Sequence, residues 1–386
     1  MVYNGLGNPR SGGALLVRED DRGRKRVVAI GDARELQETH PDVPVEQAPF
    51  AISPGPVNAH THLDMTRMPL VGDVPYEEFM NAAMSFSRSG QRDLESAREG
   101  VDRLLASGVK VVGDIVTDEE VMRFLLQHEE LQGVAYWEVI GPDPEAAPRI
   151  LAQTAERLER FRRWERPGGM RVGLSPHTPH TVSAPLLSGL ARLARQLGLP
   201  MQIHVAEAPG EVAFHRDGTG PLARAIAPFL PEWTPSGLTP VAYLASLGVL
   251  EAAPTLVHMV HVTPEDVSLV ARSGSVVVHC PRSNRNLNCG TFPWELYARH
   301  GVDVALGTDS LGSSQSLDVA DEVMAAHTLH AGAAPPVALL RAAVKGGYRA
   351  LRMRPPRIGP GANISGVHIW PHGPVDPKTW ASGPAY

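Results

Sequence analysis

Residues 170–207, MRVGLSPHTPHTVSAPLLSGLARLARQLGLPMQIHVAE, contain the unit that determines the fold. Two apolar runs, residues 170–176 and 200–207, flank a helix-like stretch at residues 184–197. Apolar strands that alternate with helices are typical of a parallel sheet whose two faces are both covered. This stretch therefore predicts a strand–helix–strand unit of an α/β protein.

The same alternation continues through residues 55–354. Other helix-like stretches lie at 95–107, 145–163, 264–273 and 317–330, and eight short apolar runs are candidate strands: AISPGPVNAH, VKVVGDI, GVAYWEVI, MRVGLSP, PMQIHVAE, APTLVHMV, GSVVVHC and GVDVALGTD. Eight such units over this length predict a (β/α)8 TIM-type barrel. A doubly wound sheet is the alternative, but no G-x-G-x-x-G motif follows an early strand.

The two ends of the chain have a different pattern. Short β segments separated by turn residues occupy the first fifty residues, and RIGPGANISGVHIWPHG near the end resembles two short strands. We predict that residues 1–54 and 355–386 form a small β-sandwich domain beside a catalytic barrel of residues 55–354. The Pro-rich segment 209–240 is long for one connection and predicts a lid or binding loop.

Composition narrows the class of protein. The net charge of −6 disfavours a nucleic-acid-binding surface, and two cysteines exclude a disulfide scaffold. No run approaches the ~20 apolar residues of a membrane span, and the N-terminus lacks a signal-peptide core. We expect a cytoplasmic enzyme with a small-molecule substrate and neither nucleic acid nor membrane as a partner. A homo-oligomer stays open.

A pair of histidines lies in the first barrel segment, AISPGPVNAHTHL. His60 and His62 are two residues apart, so a strand would direct both to one face with Cα atoms about 6.6 Å apart. Two imidazoles at this spacing can bind one ion at about 2.0–2.1 Å. An edge strand that happens to contain two histidines explains the pair equally well.

Further candidates follow later strands. His204 ends the fifth strand, and Glu207 lies three residues beyond it, where an ideal strand would direct it away unless the chain bends. His258 and His261 follow the sixth strand, and each could instead be a hydrogen-bonded rim histidine. Asp309 follows the eighth strand, where it could be only a helix N-cap.

The order of these residues is more informative than any one of them. Strand ends of a closed barrel surround one centre, so His-x-His after strand one, His after strands five and six, and Asp after strand eight would meet there. Active sites of this fold lie at that end. The pattern therefore predicts a metal site.

The motifs that contain these residues resemble the amidohydrolase superfamily, in particular its deaminase and chlorohydrolase branch. The matching stretches are PGPVNAHTHL, GLSPHTPHTVS, IHVAE, LVHMVHVT, VVVHCPRSNRNL and LGTDSLGSSQSLD. The resemblance implies one divalent ion, Zn²⁺ first with Fe²⁺ or Mn²⁺ as alternatives, bound by His60, His62, His204 and Asp309. It implies proton transfer by Glu207, His258 and Asp309, and substrate contact by His177. His180 stands where relatives often have Tyr.

Some members of the superfamily use two metals bridged by a modified lysine on the fourth strand. The four lysines of this sequence (Lys25, Lys110, Lys345 and Lys378) all lie elsewhere, so a single ion is expected.

The resemblance also suggests a reaction and a substrate. Hydrolytic deamination of a 6-aminopurine nucleoside, with aminodeoxyfutalosine of menaquinone synthesis as the first candidate, is expected to release ammonia. Glu77 and Glu78 would lie near a sugar, with Phe79 beside them, and Arg282 or Arg285 could bind a substrate carboxylate unless each is only a structural ion pair. The alternatives are a triazine chlorohydrolase, a guanine, cytosine or S-adenosylhomocysteine deaminase, and an inactive barrel that serves as a scaffold.

Overall fold

The structure is a computed structural model that describes residues 1–231, 233–330 and 332–373. The β-strands are β1 Gly13–Glu19, β2 Lys25–Asp32, β3 Ile52–Pro54, β4 Val57–Thr61, β5 Val111–Val116, β6 Gln132–Val139, β7 Met170–Pro176, β8 Gln202–Val205, β9 Thr255–His258, β10 Val276–His279, β11 Val304–Leu306 and β12 Val367–Ile369. The α-helices are α1 Ala33–Thr39, α2 Tyr76–Arg88, α3 Leu94–Ala106, α4 Glu119–Gln127, α5 Ala147–Arg162, α6 Ala184–Leu197, α7 Pro209–Asp217, α8 Gly220–Ile226, α9 Pro240–Ser246, α10 Pro264–Ser273, α11 Pro281–Asn286, α12 Trp294–Arg299, α13 Val319–Leu329, α14 Pro336–Arg341 and α15 Gly347–Ala350.

Two four-stranded parallel sheets form the centre of the protein. Their strand orders are β4-β5-β6-β7 and β8-β9-β10-β11. Single parallel bridges join the sheets at both seams, between Leu174 and Met201 and between Thr61 and Asp309. All their carboxyl ends therefore lie at one edge, and the expectation of an α/β protein with parallel sheets is confirmed.

Helix α6 shows why the sequence folds in this way. Its residues Leu186, Leu187, Leu190 and Ala194 are buried, and they recur at the three- and four-residue spacing of one helix face. Gly198 ends the helix in the left-handed conformation, at φ 65°, which glycine adopts without a steric penalty. The chain then reverses directly into β8.

The strands are buried on both faces, as their apolar composition predicts. Every residue of β5 and every residue of β9 is buried. Both faces of these parallel sheets are thus covered by other parts of the protein. Polar residues at the carboxyl ends are the exception to this apolar interior.

The terminal segments form antiparallel pairs. Strand β1 pairs with β2, and β3 pairs with β12. Trp370 is fully buried, packs edge-on against Phe50 with ring centroids 6.4 Å apart, and donates from Nε1 to Ser53 Oγ at 2.8 Å. Residues 374–386 of the predicted small domain lie outside the described residues.

Two local expectations were wrong. The first predicted strand is two strands, because the chain leaves β3 at Gly55–Pro56 before β4 begins at Val57. The segment 209–240, predicted as a long loop, is largely helical. Helix α7 begins at Pro209, and α8 begins at Gly220, directly before Pro221. None of the described helices combines the length and the apolar character needed to cross a bilayer.

Candidate metal and catalytic site

His60 and His62 lie where β4 ends. His60 belongs to the strand and His62 directly follows Thr61, so the alternation of the strand directs both rings to the same side. Their ring centroids are 4.9 Å apart. Both side chains are buried, His60 completely.

His204, in the other four-stranded sheet, joins this pair. It lies in β8, and its ring centroid is 4.8 Å from that of His60 and 5.4 Å from that of His62. One ring nitrogen from each of the three histidines lies within 4.8 Å of the others. The structure thus brings together three residues that span 144 positions of sequence.

Hydrogen bonds fix which nitrogen is free in two of these rings. Gln202 Nε2 donates to Ala59 O at 3.0 Å, so Gln202 Oε1 accepts from His60 Nδ1 at 2.7 Å. His204 Nδ1 donates to the carbonyl of His177 at 2.9 Å. Nε2 of His60 and of His204 is left free, and His60 Nε2 is buried without a hydrogen-bond partner among the described residues, whereas no such bond fixes His62, whose buried Nδ1 is also unpartnered there. Such outer hydrogen bonds are what orient metal-binding histidines.

Asp309 adds an oxygen to the cluster. It follows β11 with a left-handed φ of 58°, and its Oδ1 is 3.5 Å from Nε2 of both His60 and His62. Its Oδ2 accepts hydrogen bonds from Ser283 at 2.7 Å and Ser313 at 3.0 Å. Burial alone would raise the pKa of Asp309. The neighbouring His60 and His62 have a larger effect in the opposite direction, so the pKa of Asp309 lies well below its usual range.

Glu207 reaches the same site through a bend in the chain. Ala206 has a left-handed φ of 52°, which interrupts the alternation that would have directed Glu207 away. The Glu211 carboxylate holds the bend by accepting from the backbone N–H groups of Ala206 at 2.9 Å, Glu207 at 2.8 Å and Ala208 at 3.3 Å. Burial raises the pKa of Glu211 to about 7, and these backbone hydrogen bonds oppose the rise.

His258 and Glu207 form a pair beside Asp309. His258 Nε2 is 3.5 Å from Glu207 Oε2. Asn284 Nδ2 lies 3.1 Å from His258 Nδ1, so Nδ1 accepts and the proton of the neutral ring is on Nε2. Burial lowers the pKa of His258 to about 4, while burial and then the charge of Asp309 raise the pKa of Glu207 well above its usual range. Burial therefore disfavours the charged form of both the His258 imidazole and the Glu207 carboxyl group.

A cavity of about 510 Å³ opens onto these groups. His177 is one of its lining residues, with its ring centroid 5.3 Å from that of His204 and its Nδ1 2.8 Å from Thr181 Oγ1. One face of α2 supplies an apolar wall that includes Phe79, Met80 and Met84. The cavity has the size of a small-molecule site.

Other residues that the sequence suggested lie elsewhere. Glu77 and Glu78 are absent from the cavity lining. Arg282 is buried in an ion pair with Glu322 at 2.6 Å, which is the structural role that the sequence left open. The exposed Arg285 lines a separate cavity, and neither arginine lines the cavity above the histidines.

Two further histidines are also outside the site. His180 is buried 3.9 Å from Glu211, and His261 Nε2 donates to the carbonyl of Cys289 at 2.6 Å.

Sequence reasoning missed the residues that hold the site in place. Gln202 and Glu211 flank His204 and Glu207 in the same segment, and Ser283 and Asn284 lie in the matching stretch VVVHCPRSNRNL, in which only the arginines were given a role. Short polar side chains directly after a buried strand were the available signal. Arg92, which also lines the cavity, had no signal of comparable strength.

The donor set fits a divalent ion. Three imidazole nitrogens and one carboxylate oxygen converge, all buried, and His60 Nε2 lacks any other partner. This ligand set suits Zn²⁺ and other first-row ions.

This chain belongs to the amidohydrolase family, which it matches over residues 51–362. Enzymes of this family depend on a metal ion. As a member of the family, this chain is a hydrolase that acts on C–N bonds. The aminodeoxyfutalosine deaminase of Deinococcus radiodurans is 46% identical over 366 residues, which cover 92% of this chain and 85% of that one.

Two solved structures resemble the chain. An aminofutalosine deaminase of Helicobacter pylori has a TM-score of 0.73 at 20% identity, over 92% of this chain and 88% of the other, which supports the fold. A zinc-bound adenosine deaminase of Xanthomonas campestris has a TM-score of 0.66 at 25% identity, over 87% and 76% of the two chains.

Proposed function

We propose that this protein hydrolytically deaminates a 6-aminopurine nucleoside, with aminodeoxyfutalosine as its substrate. The observation that supports this most directly is the placement of Glu207, a buried carboxyl group whose pKa is raised, beside His258 and the cluster of three histidines and Asp309. A ring nitrogen must gain a proton when water adds to the adjacent carbon, and a neutral carboxyl group is suited to donate it. The Deinococcus relative supports the choice of amine.

We propose Zn²⁺ as the ion, bound by His60, His62, His204 and Asp309. The zinc-bound Xanthomonas deaminase supports this choice. When bound, the ion supplies Lewis acidity that lowers the pKa of water to about 7.

Each protein group then has a task. Asp309 accepts a proton from the attacking water, and the Nε2–H of His258 orients that water by hydrogen bonding. Glu207 donates its proton to the ring nitrogen. Asp309 then passes the proton from the water to the amino group, the C–N bond breaks and ammonia leaves, and the hydroxyl proton of the adduct returns to Glu207. His177 contacts the substrate from the opposite side of the cavity. Proton transfer of this kind contributes about 10²–10⁴-fold to a rate.

We also propose the arrangement that holds these groups. Residues 55–354 form a closed (β/α)8 barrel, supported by parallel bridges at both seams and by the likeness to the Helicobacter structure. Residues 1–54 and 355–386 form a small β domain, supported by the β1–β2 and β3–β12 pairs. Cytoplasmic location and self-association stay predictions.

Ammonia release by zinc-loaded protein tests the function. We expect the highest kcat/KM with aminodeoxyfutalosine, lower values with adenosine and S-adenosylhomocysteine, and no release from cytosine or guanine. Chloride release from a chlorotriazine is the control for the alternative hydrolysis. The proposal is wrong if no 6-aminopurine nucleoside yields ammonia, or if chloride release is faster.

A further inference from the structure

One face of helix α2 forms a wall of the cavity above the histidines along the whole length of the helix. The lining residues occur on four successive turns, at positions 76, 79–80, 83–84 and 87–88. Residues three and four apart lie on the same face of a helix, so these positions form a continuous strip. At a rise of about 1.5 Å per residue, the strip from Tyr76 to Arg88 is about 18 Å long.

The two ends of this strip have different surroundings. Tyr76, at the start, packs against a buried cluster that includes Ala208, the residue after Glu207. Burial and then the charge of Glu207 raise the pKa of Tyr76, as expected for side chains that lie close together. Arg88, at the other end, is exposed, and its guanidinium carbon lies 5.8 Å from the ring centre of Phe229. The strip thus leads from the proposed proton donor to the solvent-exposed end of the cavity.

Arg88 differs from the other charged residues that line the cavity away from the metal cluster. Arg92 donates from Nε to Asp64 Oδ2 at 2.9 Å and lies 3.8 Å from Glu138 Oε2. Asp118 accepts from two backbone N–H groups at the start of α4. Arg88 forms no ion pair with a residue that the structure describes, and its contact with a phenyl ring leaves its N–H groups available. This end of the cavity therefore offers a cation to an anionic group of a ligand.

The side chains between the two ends define what carries that anionic group. The middle turns of the strip present Phe79, Met80 and Met84, and the exposed Ile140 lines the cavity as well. An apolar group is favoured along such a wall because its surface is removed from water. A guanidinium binds a carboxylate with two parallel hydrogen bonds. The strip thus suits an apolar arm that ends in a carboxylate.

The length of the strip relates this arm to the substrate. A purine ring beside Glu207 and its ribose occupy only part of the strip, so a group attached to the sugar can extend along α2 towards its end. We infer that Arg88 binds a carboxylate carried by an apolar arm on the sugar, and that it thereby selects this substrate among adenine nucleosides. This inference rests on the proposed function and deepens it, since aminodeoxyfutalosine carries a benzoate.

The wild-type protein gives the first test. Aminodeoxyfutalosine and its primary carboxamide, which has nearly the same size but no charge, are compared by ammonia release with zinc-loaded protein. Charge-assisted hydrogen bonds are about twice as strong as neutral ones, so the carboxamide should have a kcat/KM lower by about 10-fold or more. A ratio within about threefold would overturn the inference. Faster deamination of adenosine 5′-monophosphate than of aminodeoxyfutalosine would also overturn it, because a phosphate would then be the preferred anion.

The variant Arg88→Gln gives the second test. We expect kcat/KM for aminodeoxyfutalosine to fall by about 10- to 100-fold, and that for 5′-methylthioadenosine, which has no carboxylate, to change by less than about threefold. The loss should lie mainly in KM, because a carboxylate remote from the reacting carbon is bound equally in the ground and transition states. Arg88→Lys keeps the charge and should recover part of the loss. Equal losses on the two substrates, or no loss, would contradict the assignment.

A matched control separates the outcomes. Arg123 is also exposed, with its guanidinium carbon 4.4 Å from the ring centre of Trp164, but it does not line this cavity, so Arg123→Gln should leave both rates unchanged. If Arg88→Gln does not fold, the comparison with the carboxamide still decides. Absence of ammonia release from every nucleoside refutes the proposed function as well, whereas release without preference for the carboxylate refutes only this inference.

Discussion

Two buried polar clusters lie close together in this protein, and they differ in how their atoms are satisfied. Around His60 and Asp309, ring nitrogens are left free, and Asp309 and His258 have a positive φ. Around Arg282, the guanidinium is bonded on all sides, to Glu322 at 2.6 Å and to Ser316 at 2.9 Å. Strained backbone and unpartnered atoms persist only where surrounding structure holds them.

The cluster around His60 and Asp309 has free atoms with which to bind a ligand, whereas the cluster around Arg282 stabilises the fold. Helix α11 connects the two, since Arg282 fixes it to Glu322 while Ser283 and Asn284 of the same helix bond Asp309 and His258. The cluster around Arg282 thus helps to position Asp309 and His258 in the other cluster. Changes in the first cluster should affect catalysis, and changes in the second should affect stability.

Removal of the ion should have the largest effect. Chelation is expected to reduce ammonia release to background, because no other described group of this site can activate water comparably. If the free ion is at about 1,000 times its Kd, its loss should also lower the free energy of unfolding by about 4 kcal/mol. Metal analysis, activity and urea unfolding before and after zinc is restored test this. Full activity in metal-free protein would contradict the site.

The variant Glu207→Gln should have the second-largest effect on activity. The amide cannot donate a proton as a carboxylic acid does, so kcat should fall by about 10²–10⁴-fold while one ion stays bound. Steady-state ammonia release with metal analysis measures both quantities. Glu251→Gln, which changes an exposed carboxylate paired with Arg195, is the control. Unchanged kcat in the first variant would remove Glu207 from the mechanism.

Arg282→Ala should mainly reduce stability. It leaves Glu322 buried without its partner, a change that costs about 3–5 kcal/mol in comparable buried pairs. Urea unfolding measures this loss, and Arg195→Ala in an exposed pair should change it by less than about 1 kcal/mol. We expect folded, zinc-loaded Arg282→Ala to lose less activity than Glu207→Gln. The reverse order would contradict the division between the two clusters.

His215 should give the smallest effect and sharpens the comparison, since its buried ring nitrogens have no hydrogen-bond partner among the described residues and it lies outside the metal cluster. Burial lowers its pKa to about 4, whereas the unfolded chain has a value near 6.5. Between these values the unfolded state binds more protons, so this contribution to stability is complete above about pH 6.5 and is lost as the pH falls towards 4.

For the wild type, this one group should remove about 1–2 kcal/mol of stability between pH 7 and pH 5. His215→Leu should lose correspondingly less over the same interval. Urea unfolding of both proteins at the two pH values measures the difference. Identical pH dependence would show that His215 is protonated in the folded state as readily as in the unfolded chain.

Local patterns were sufficient to predict much of the fold. The spacing of Leu and Ala in residues 184–197 matches α6, and the apolar runs on either side match β7 and β8. The break at Gly55–Pro56 was missed because β3 and β4 are both apolar and nearly contiguous. Strand β3 pairs with β12, whereas β4 pairs with β5, and both partners are distant in sequence. These pairings decide which sheet each strand joins.

The sequence by itself determined the alternation of strands and helices, and it placed His60, His62, His204, His258 and Asp309 at strand ends in a consistent order. It could do so because the burial of one helix face or of both strand faces is a local periodicity. Only the tertiary structure decided that Glu207 turns inward, that Gln202 orients His60 and that Glu138 faces the cavity. Those directions depend on a positive φ at Ala206 and on hydrogen bonds between residues far apart in sequence, and no local pattern encodes them.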